Sequence, residues 1–327
     1  MMKFAVCLLG VVFSLTALSQ QNSPAPVKPQ PGKPFSIGVG VVGDSHYVYG
    51  SALASVLSRT WRQPAVAEVT GGAIENARLL KSGEVDAALI TTGVLADAAN
   101  GRGQFSADGA IPLRALMVLY PNRMHVAVLE GSGIKSINDL KGRRVSIGSE
   151  LGMASIVSSR ILEAAGLKDA DYRRFQLNTL DSVKALKDGA IDAFFYASGE
   201  PIVELSQVGA LLGSKLKLLP TQQYVEPMTK KYGGVYFKDA LQLHLNPRKD
   251  SSVGVVSVWT ILVASASMSN QAAYNLVKTM SARQPDLIPL SPNAHMVVRE
   301  NQSNAISPVP FHPGAVKFYA ESGVNLK

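Results

Sequence analysis

Cysteine is nearly missing from this chain: Cys7 is the only one in 327 residues, and it sits inside an apolar run near the N-terminus. Everything downstream therefore lacks thiolate metal ligands and disulfides, and its stability has to come from its cores. Charge is sparse too. Only 17% of residues are Asp, Glu, Lys or Arg against 46% hydrophobic, which excludes an intrinsically disordered chain. The five histidines, at 46, 125, 244, 295 and 312, include no i,i+4 pair and no H-E-x-x-H, the patterns of a zinc site. There is no G-x-S-x-G nucleophile turn and no G-x-x-x-x-G-K-[ST] phosphate loop, and GVGVVG (38–43), which has the glycines of a dinucleotide loop, is a lone match that does not by itself make a cofactor site. These absences predict a protein that is not an enzyme, with no cofactor and no metal.

The formal charge of +8 comes from scattered residues and short pairs such as Arg143-Arg144 and Lys230-Lys231. Without a basic helix or an RNP-like aromatic motif, no nucleic-acid partner is expected. The positive field serves solubility or draws in anionic solutes.

Residues 1–19 read as a cleavable signal peptide: Lys3, an apolar run, then small residues at Ala17 and Ser19. No cysteine follows the cleavage point, so a lipoprotein anchor is not expected; the predicted location is periplasmic or secreted. Residues 20–34, QQNSPAPVKPQPGKP, form a Pro-rich spacer. Past it, the run 253–266 is the nearest approach to a membrane span, and Trp259, Thr260 and serines break it up.

From residue 35 strand-like and helix-like segments alternate, and the alternation restarts at 143. FSIGVGVV, AVAEVT and VDAALITT read as strands of a first lobe, with a helix in AIENARLLKSG (73–83). LRALMVLY (113–120) and MHVAVLE (124–130) read as two extended runs. RRVSIG, YRRFQLN and IDAFFYA read as strands of a second lobe, with helices at 154–166, 182–189 and 201–209. One phrase occurs twice, LKSGEVDAALI (80–90) and LKDGAIDAFFY (186–196). In each, a helix ends at a left-handed Gly cap and Val/Ile-Asp-Ala launches a buried strand, the Asp accepting local backbone bonds. The tail after about 224 holds one apolar strand and helices, too little for a third sheet. The predicted fold class is α/β: two similar lobes, each a mostly parallel sheet flanked by helices, joined by a hinge. The boundaries drawn are 35–121 plus 225–327 for the first lobe and 122–224 for the second.

SGIKSINDLKGRRVSIG (132–148) resembles the signature at the start of the second lobe of type II periplasmic solute-binding proteins. TGGAIENARLLKSGEVDAAL (70–89), FFYASGEP (194–201) and PVPFHPGAVKFYAESG (308–323) are similar to the TAXI branch, the solute receptors of tripartite ATP-independent periplasmic (TRAP) transporters. The resemblance implies a monomeric receptor that closes on a small-molecule solute, a carboxylate or amino acid, and hands it to integral membrane TRAP subunits. A secreted sensor or surface interaction protein on the same fold is the alternative.

Ligands of open α/β sheets sit beyond the carboxyl ends of strands, near helix N-termini. That places the site at Ser45 and Tyr47, at Thr70, Gly71 and Gly72, and at Thr91 and Thr92. In the second lobe it adds Glu150, Gly152 and Met153, then Tyr196 and Glu200. Thr70-Gly71-Gly72 before a helix offers backbone N–H groups to an anion, though Gly-Gly serves equally as a plain turn. Tyr47 either lines the pocket or packs between lobes, and His46 is expected on an exposed rim or at the helix start rather than as a ligand contact. The family's first loop usually reads GGTYYP-x-G, where this chain has GDSHYVYG (43–50). In the second lobe ELGMA (150–154) replaces its P-G-S-G-T, bringing Glu150 to an anion-favouring helix start. Glu150 either complements that helix's dipole or, with Glu200, faces a cationic group of the ligand. His312 is expected to lock the last helix onto the first lobe.

Overall fold

The computed structural model describes residues 32–150, 152–199, 216–243 and 251–326. The expected signal peptide, most of the spacer, the helix at 201–209 and Glu200 lie outside them. The first lobe opens with β1 (Phe35–Gly38), α1 (Ser45–Thr60), β2 (Ala65–Glu68), α2 (Ala73–Ser82), β3 (Ala87–Thr91) and α3 (Thr92–Ala99). A long strand, β4 (Leu113–Leu129), leads to the second lobe: β5 (Arg144–Ser146), α4 (Met153–Ala164), β6 (Arg173–Phe175), α5 (Thr179–Lys187), β7 (Ala193–Ser198) and β8 (Leu216–Leu218). Then follow α6 (Val225–Tyr232), β9 (Phe237–Leu243), a second long strand β10 (Ser251–Ser265), α7 (Asn270–Leu287) and α8 (Pro313–Glu321).

All described strands join one sheet, ordered β2-β1-β3-β10-β4-β7-β5-β6, with β8 on β4 and β9 on β10. Strands β1 to β3 are mutually parallel, as are β5 to β7; every pairing that involves β4 or β10 is antiparallel. The α/β class of two parallel sets flanked by helices is thus present. The join between them is one continuous sheet carried by two long strands.

Residues 113–129 make a single strand rather than the two runs expected. It passes through Pro121, which lies opposite Trp259 where the register with β10 shifts. A bulge needs no ladder N–H at that point, so proline is tolerated. The second boundary also moves. Val225, Met228, Tyr236, Val256 and Val258 pack into the core built on Val126, Val145 and Phe195. The sequence reading returned the chain to the first lobe at 225. The apolar faces of α6, β9 and the first half of β10 are buried against the second lobe instead, and the chain rejoins the first core from Ile261 onward.

The repeated phrase has a common structural role. Gly83 (φ 76°) caps α2 and Gly189 (φ 70°) follows α5, both left-handed. The aspartates do not bond locally. Asp86 accepts the Ser36 N–H at 2.8 Å while its own N–H donates to Ser36 O. Asp192 accepts the Arg144 N–H at 2.7 Å and its N–H donates to Arg144 O. Each thus clips its strand to the start of the neighbouring parallel strand, in the two lobes alike. The Arg144 guanidinium also binds Asp192, at 2.8 and 3.1 Å, and holds its carboxyl below the usual range. A carboxylate with a lowered folded-state pKa stabilises above its unfolded value, and that contribution is lost as pH falls through the folded value. Asp192→Asn is therefore expected to be less stable than wild type at neutral pH. The gap in urea midpoint should close below about pH 4; a gap constant from pH 3 to 7 would show that charge plays no part.

Candidate functional site

The two parallel sets aim their carboxyl ends at one place. Thr91, the last residue of β3, lies opposite Thr260, and Ser198, the last of β7, lies opposite Arg123, which itself pairs with Ser257. Both lobes therefore end within a few residues of each other on the middle of β4 and β10. Open α/β sheets bind ligands at such a junction.

The crossing has a buried polar floor. Asn122 Nδ2 donates to Thr260 Oγ1 at 2.5 Å and Asn122 Oδ1 accepts from Ser45 Oγ at 3.3 Å. His46 Nε2 lies 3.0 Å from Thr260 Oγ1, and Tyr120 Oη donates to Ser45 O at 3.0 Å. His46 stands at the start of α1, one of its two expected places, and is buried rather than on an exposed rim; burial pulls its pKa down despite the Asp44 carboxylate that opposes the shift. Asp44 N-caps α1 by accepting the Tyr47 N–H, which leaves Tyr47 half-buried against the first core. Deeper in the hinge, burial, with Arg123 adding to it, pushes His125 down to about 3. Its ring stacks on Tyr196 at 4.4 Å and Nε2 meets Ser198 Oγ at 3.0 Å.

Three expected contact groups are already taken up by the protein. At Thr70-Gly71-Gly72, the Gly71 N–H donates to the Glu75 carboxylate and the Gly72 N–H to Thr70 Oγ1 at 3.1 Å. Glu75 thus occupies the position assigned to an anion. Thr91 is buried, and Thr92 Oγ1 donates to Val235 O at 2.8 Å and accepts from Trp259 N at 3.3 Å. That hydroxyl locks the start of α3 to the second-lobe segment instead of facing solvent. Tyr196 is likewise a correction: it is 1% exposed, in the core with Phe194 and Leu218, because β7 is buried on both faces. Gly152 N-caps α4 and Met153 begins it, both half-buried.

Between the lobes runs a groove of ≈ 900 Å³ with Ile74, Val94 and Gln104 on one wall and Glu150, Ser155 and Ser159 on the other. Of the described residues expected in the site, only exposed Glu150 lines it. Charges of both signs reach the groove: Asp97, Glu150 and Glu163 among the acids, Arg160, Lys168 and Arg174 among the bases. One buried ion pair spans it. Arg160 of α4 donates to Asp97 of α3 and to Tyr236 Oη, with its guanidinium 4.1 Å from the centre of the Tyr232 ring. Sequence reasoning missed Arg160 and Asp97. The available signal was a charge set in each of two largely apolar helical stretches, Arg160 in MASIVSSRILEA and Asp97 in TGVLADAA. His312 does act as a lock: its Nδ1 accepts the Gly314 N–H and its Nε2 meets Met268 O at 2.9 Å.

Among the described residues, no group of three or more His, Cys, Asp or Glu could hold a metal ion, and no helix is long and apolar enough to cross a membrane. Fold and junction define a two-lobed α/β protein with a groove at its hinge. Residues 37–323 match the NMT1-like family, and the chain belongs to it. Solved structures are similar to the chain at low identity. XAC2383 from Xanthomonas citri bound to ATP is 12% identical with a TM-score of 0.51, over 89% of this chain and 96% of that one. The periplasmic aliphatic sulphonate binding protein SsuA from Escherichia coli is 16% identical with a TM-score of 0.45, over 89% and 94%.

Proposed function

We propose that this chain is a periplasmic solute receptor that closes on a small polar solute and delivers it to a membrane transporter of the TRAP type. The observation that carries this reading is the convergence of both parallel sets on one crossing of β4 and β10, beside a groove open to both lobes. Among the described residues, two long strands join the lobes, so small torsional changes there would open and close the groove. Acids and bases facing it together suit a carboxylate or an amino acid, which carries both charges. Glu150 would meet an ammonium and Arg160, released from Asp97, a carboxylate. No covalent step is involved, and catalysis forms no part of the role. The TAXI-like motifs support the TRAP partner over other transporters.

Thermal-shift screening of the full chain against carboxylates, amino acids and cationic solutes tests this. A cognate solute at a hundredfold excess over Kd adds about 2.7 kcal/mol. If no small solute stabilises the protein, the receptor reading fails. The secreted sensor or surface interaction role is then favoured, in keeping with the self-satisfied bonds at Gly71 and Thr92.

A further inference from the structure

The first lobe carries a second cavity at the opposite end of its strands, away from the crossing. It is ≈ 1030 Å³, at the top of the range for small-molecule pockets, and lies between the start of β1, the last turns of α1 and α2, and one face of α7. Its floor is apolar: Phe35, Leu80 and Val85 are buried there, with Trp61 and Met268 half-buried beside them. Trp61 is held in place edge-on to Phe35 at 5.2 Å and by donating Nε1 to Thr279 Oγ1 at 3.0 Å.

The rim is basic. Lys33, Arg62, Lys81, Lys278 and Arg283 surround the floor, and Asp86 is the only acid among the described residues that line it. Asp86 is taken up by Ser36, Lys81 by Asp108 O, and Arg283 faces Asp286 at 3.4 Å. Among the described residues, Lys33, Arg62 and Lys278 have no acidic partner. Arg62 and Lys81 stand near helix C-termini, where a cation complements the dipole without any ligand. Lys33 precedes a strand and Lys278 is mid-helix with its ammonium 5.8 Å from the centre of the Tyr274 ring, so the dipole accounts for neither and neither has its charge neutralised. An apolar floor under a one-signed rim matches a molecule with a hydrocarbon body and an acidic head. The chain's own first 31 residues carry Lys3 and Lys28 and no acid, so charge gives them no preference for this rim.

We propose that this cavity is a second binding site, separate from the groove, for a free amphiphilic anion such as a medium-chain carboxylate. The body lies on Phe35, Trp61 and Met268, and the head sits among Lys33, Arg62 and Lys278. The idea stands apart from the receptor reading, and the two tryptophans separate them: Trp61 lies in this cavity and Trp259 at the hinge.

The test uses full-length Trp259→Phe, in which Trp61 alone reports, titrated with decanoate, decyltrimethylammonium and acetate. A saturable change in Trp61 emission with decanoate is expected, half-maximal below about 1 mM, with no comparable response to the other two. Arg62→Glu with Lys278→Glu should weaken decanoate about tenfold, with far-UV circular dichroism and melting confirming a folded protein. If the pair does not fold, Lys278→Gln alone should weaken binding about threefold. Full-length Trp61→Phe should show no change from Trp259 with decanoate. Equal binding of the cation, indifference to charge reversal, or a response only to anionic vesicles would each overturn the proposal.

Discussion

Replacing Asn76 by alanine is expected to lower the unfolding free energy by about 3 kcal/mol, since several buried polar groups lose their partner at once. Asn76 is fully buried at the second turn of α2. Its amide donates to Val39 O at 2.6 Å, Leu89 O at 2.9 Å and Gly38 O at 3.3 Å, and its oxygen accepts from Thr70 Oγ1 at 2.8 Å. One side chain thus ties the ends of β1 and β3 to the Thr70-Gly71-Gly72 turn. Gly38 has no side chain where the Asn76 oxygen approaches; a Cβ there would come within 2.8 Å of it. Alanine would take this donor from the carbonyls, leave the Thr70 hydroxyl with Val39 O at 3.5 Å as its remaining acceptor, and open a void beside Gly38. Asn76→Asp should be at least as damaging, because it removes the two amide donors and buries a charge. Urea unfolding measures both. A loss below about 1 kcal/mol for Asn76→Ala would mean the network is satisfied without this residue.

That network also shows where sequence reading reached and where it stopped. T-G-G-x-x-E-N has the form of an anion-binding turn, and sequence cannot tell whether an external anion or the chain's own Glu75 fills it. The folded turn is closed by Glu75 and Asn76, both inside the same motif. Alternation of strands and helices, the glycine caps and the two-lobed plan were legible because each rests on local periodicity or backbone conformation. The partners of Asp86 and Asp192 were not legible: their strand neighbours lie 50 and 48 positions away, so the bonds exist only once the sheets form. The lobe boundary near 259 was hidden for the same reason. The run 253–265 is mostly apolar in both halves, and its register, with β9 along its first half and β3 along its second, divides it between two cores.

The ion pair across the groove yields the other large effect. Asp97→Ala is expected to cost about 3 kcal/mol, because it leaves the Arg160 guanidinium buried without its carboxylate. The Arg160 side chain is only 12% exposed. The Tyr236 hydroxyl and the Tyr232 ring still contact it, but neither carries a neutralising charge. Arg160→Met should cost less, about 1 kcal/mol. The methionine stem keeps the packing against Tyr232, and Asp97 retains Arg102 at 3.8 Å, with that arginine half exposed to solvent. The double variant should then be more stable than Asp97→Ala alone, giving a coupling energy of at least about 1 kcal/mol in the cycle. Additive losses would show that the pair is held by the closed lobes and contributes nothing to closing them. The same variants test opening. Asp97 lies on α3 and Arg160 on α4, so the pair has to separate if the lobes are to part along this groove. Small-angle scattering of Asp97→Ala with Arg160→Met should report a larger radius of gyration than wild type in the absence of solute. An unchanged radius would place the hinge's resting state under the control of the Thr92 and Val235 contact instead, since that is the other buried hydrogen bond joining α3 to the second-lobe segment.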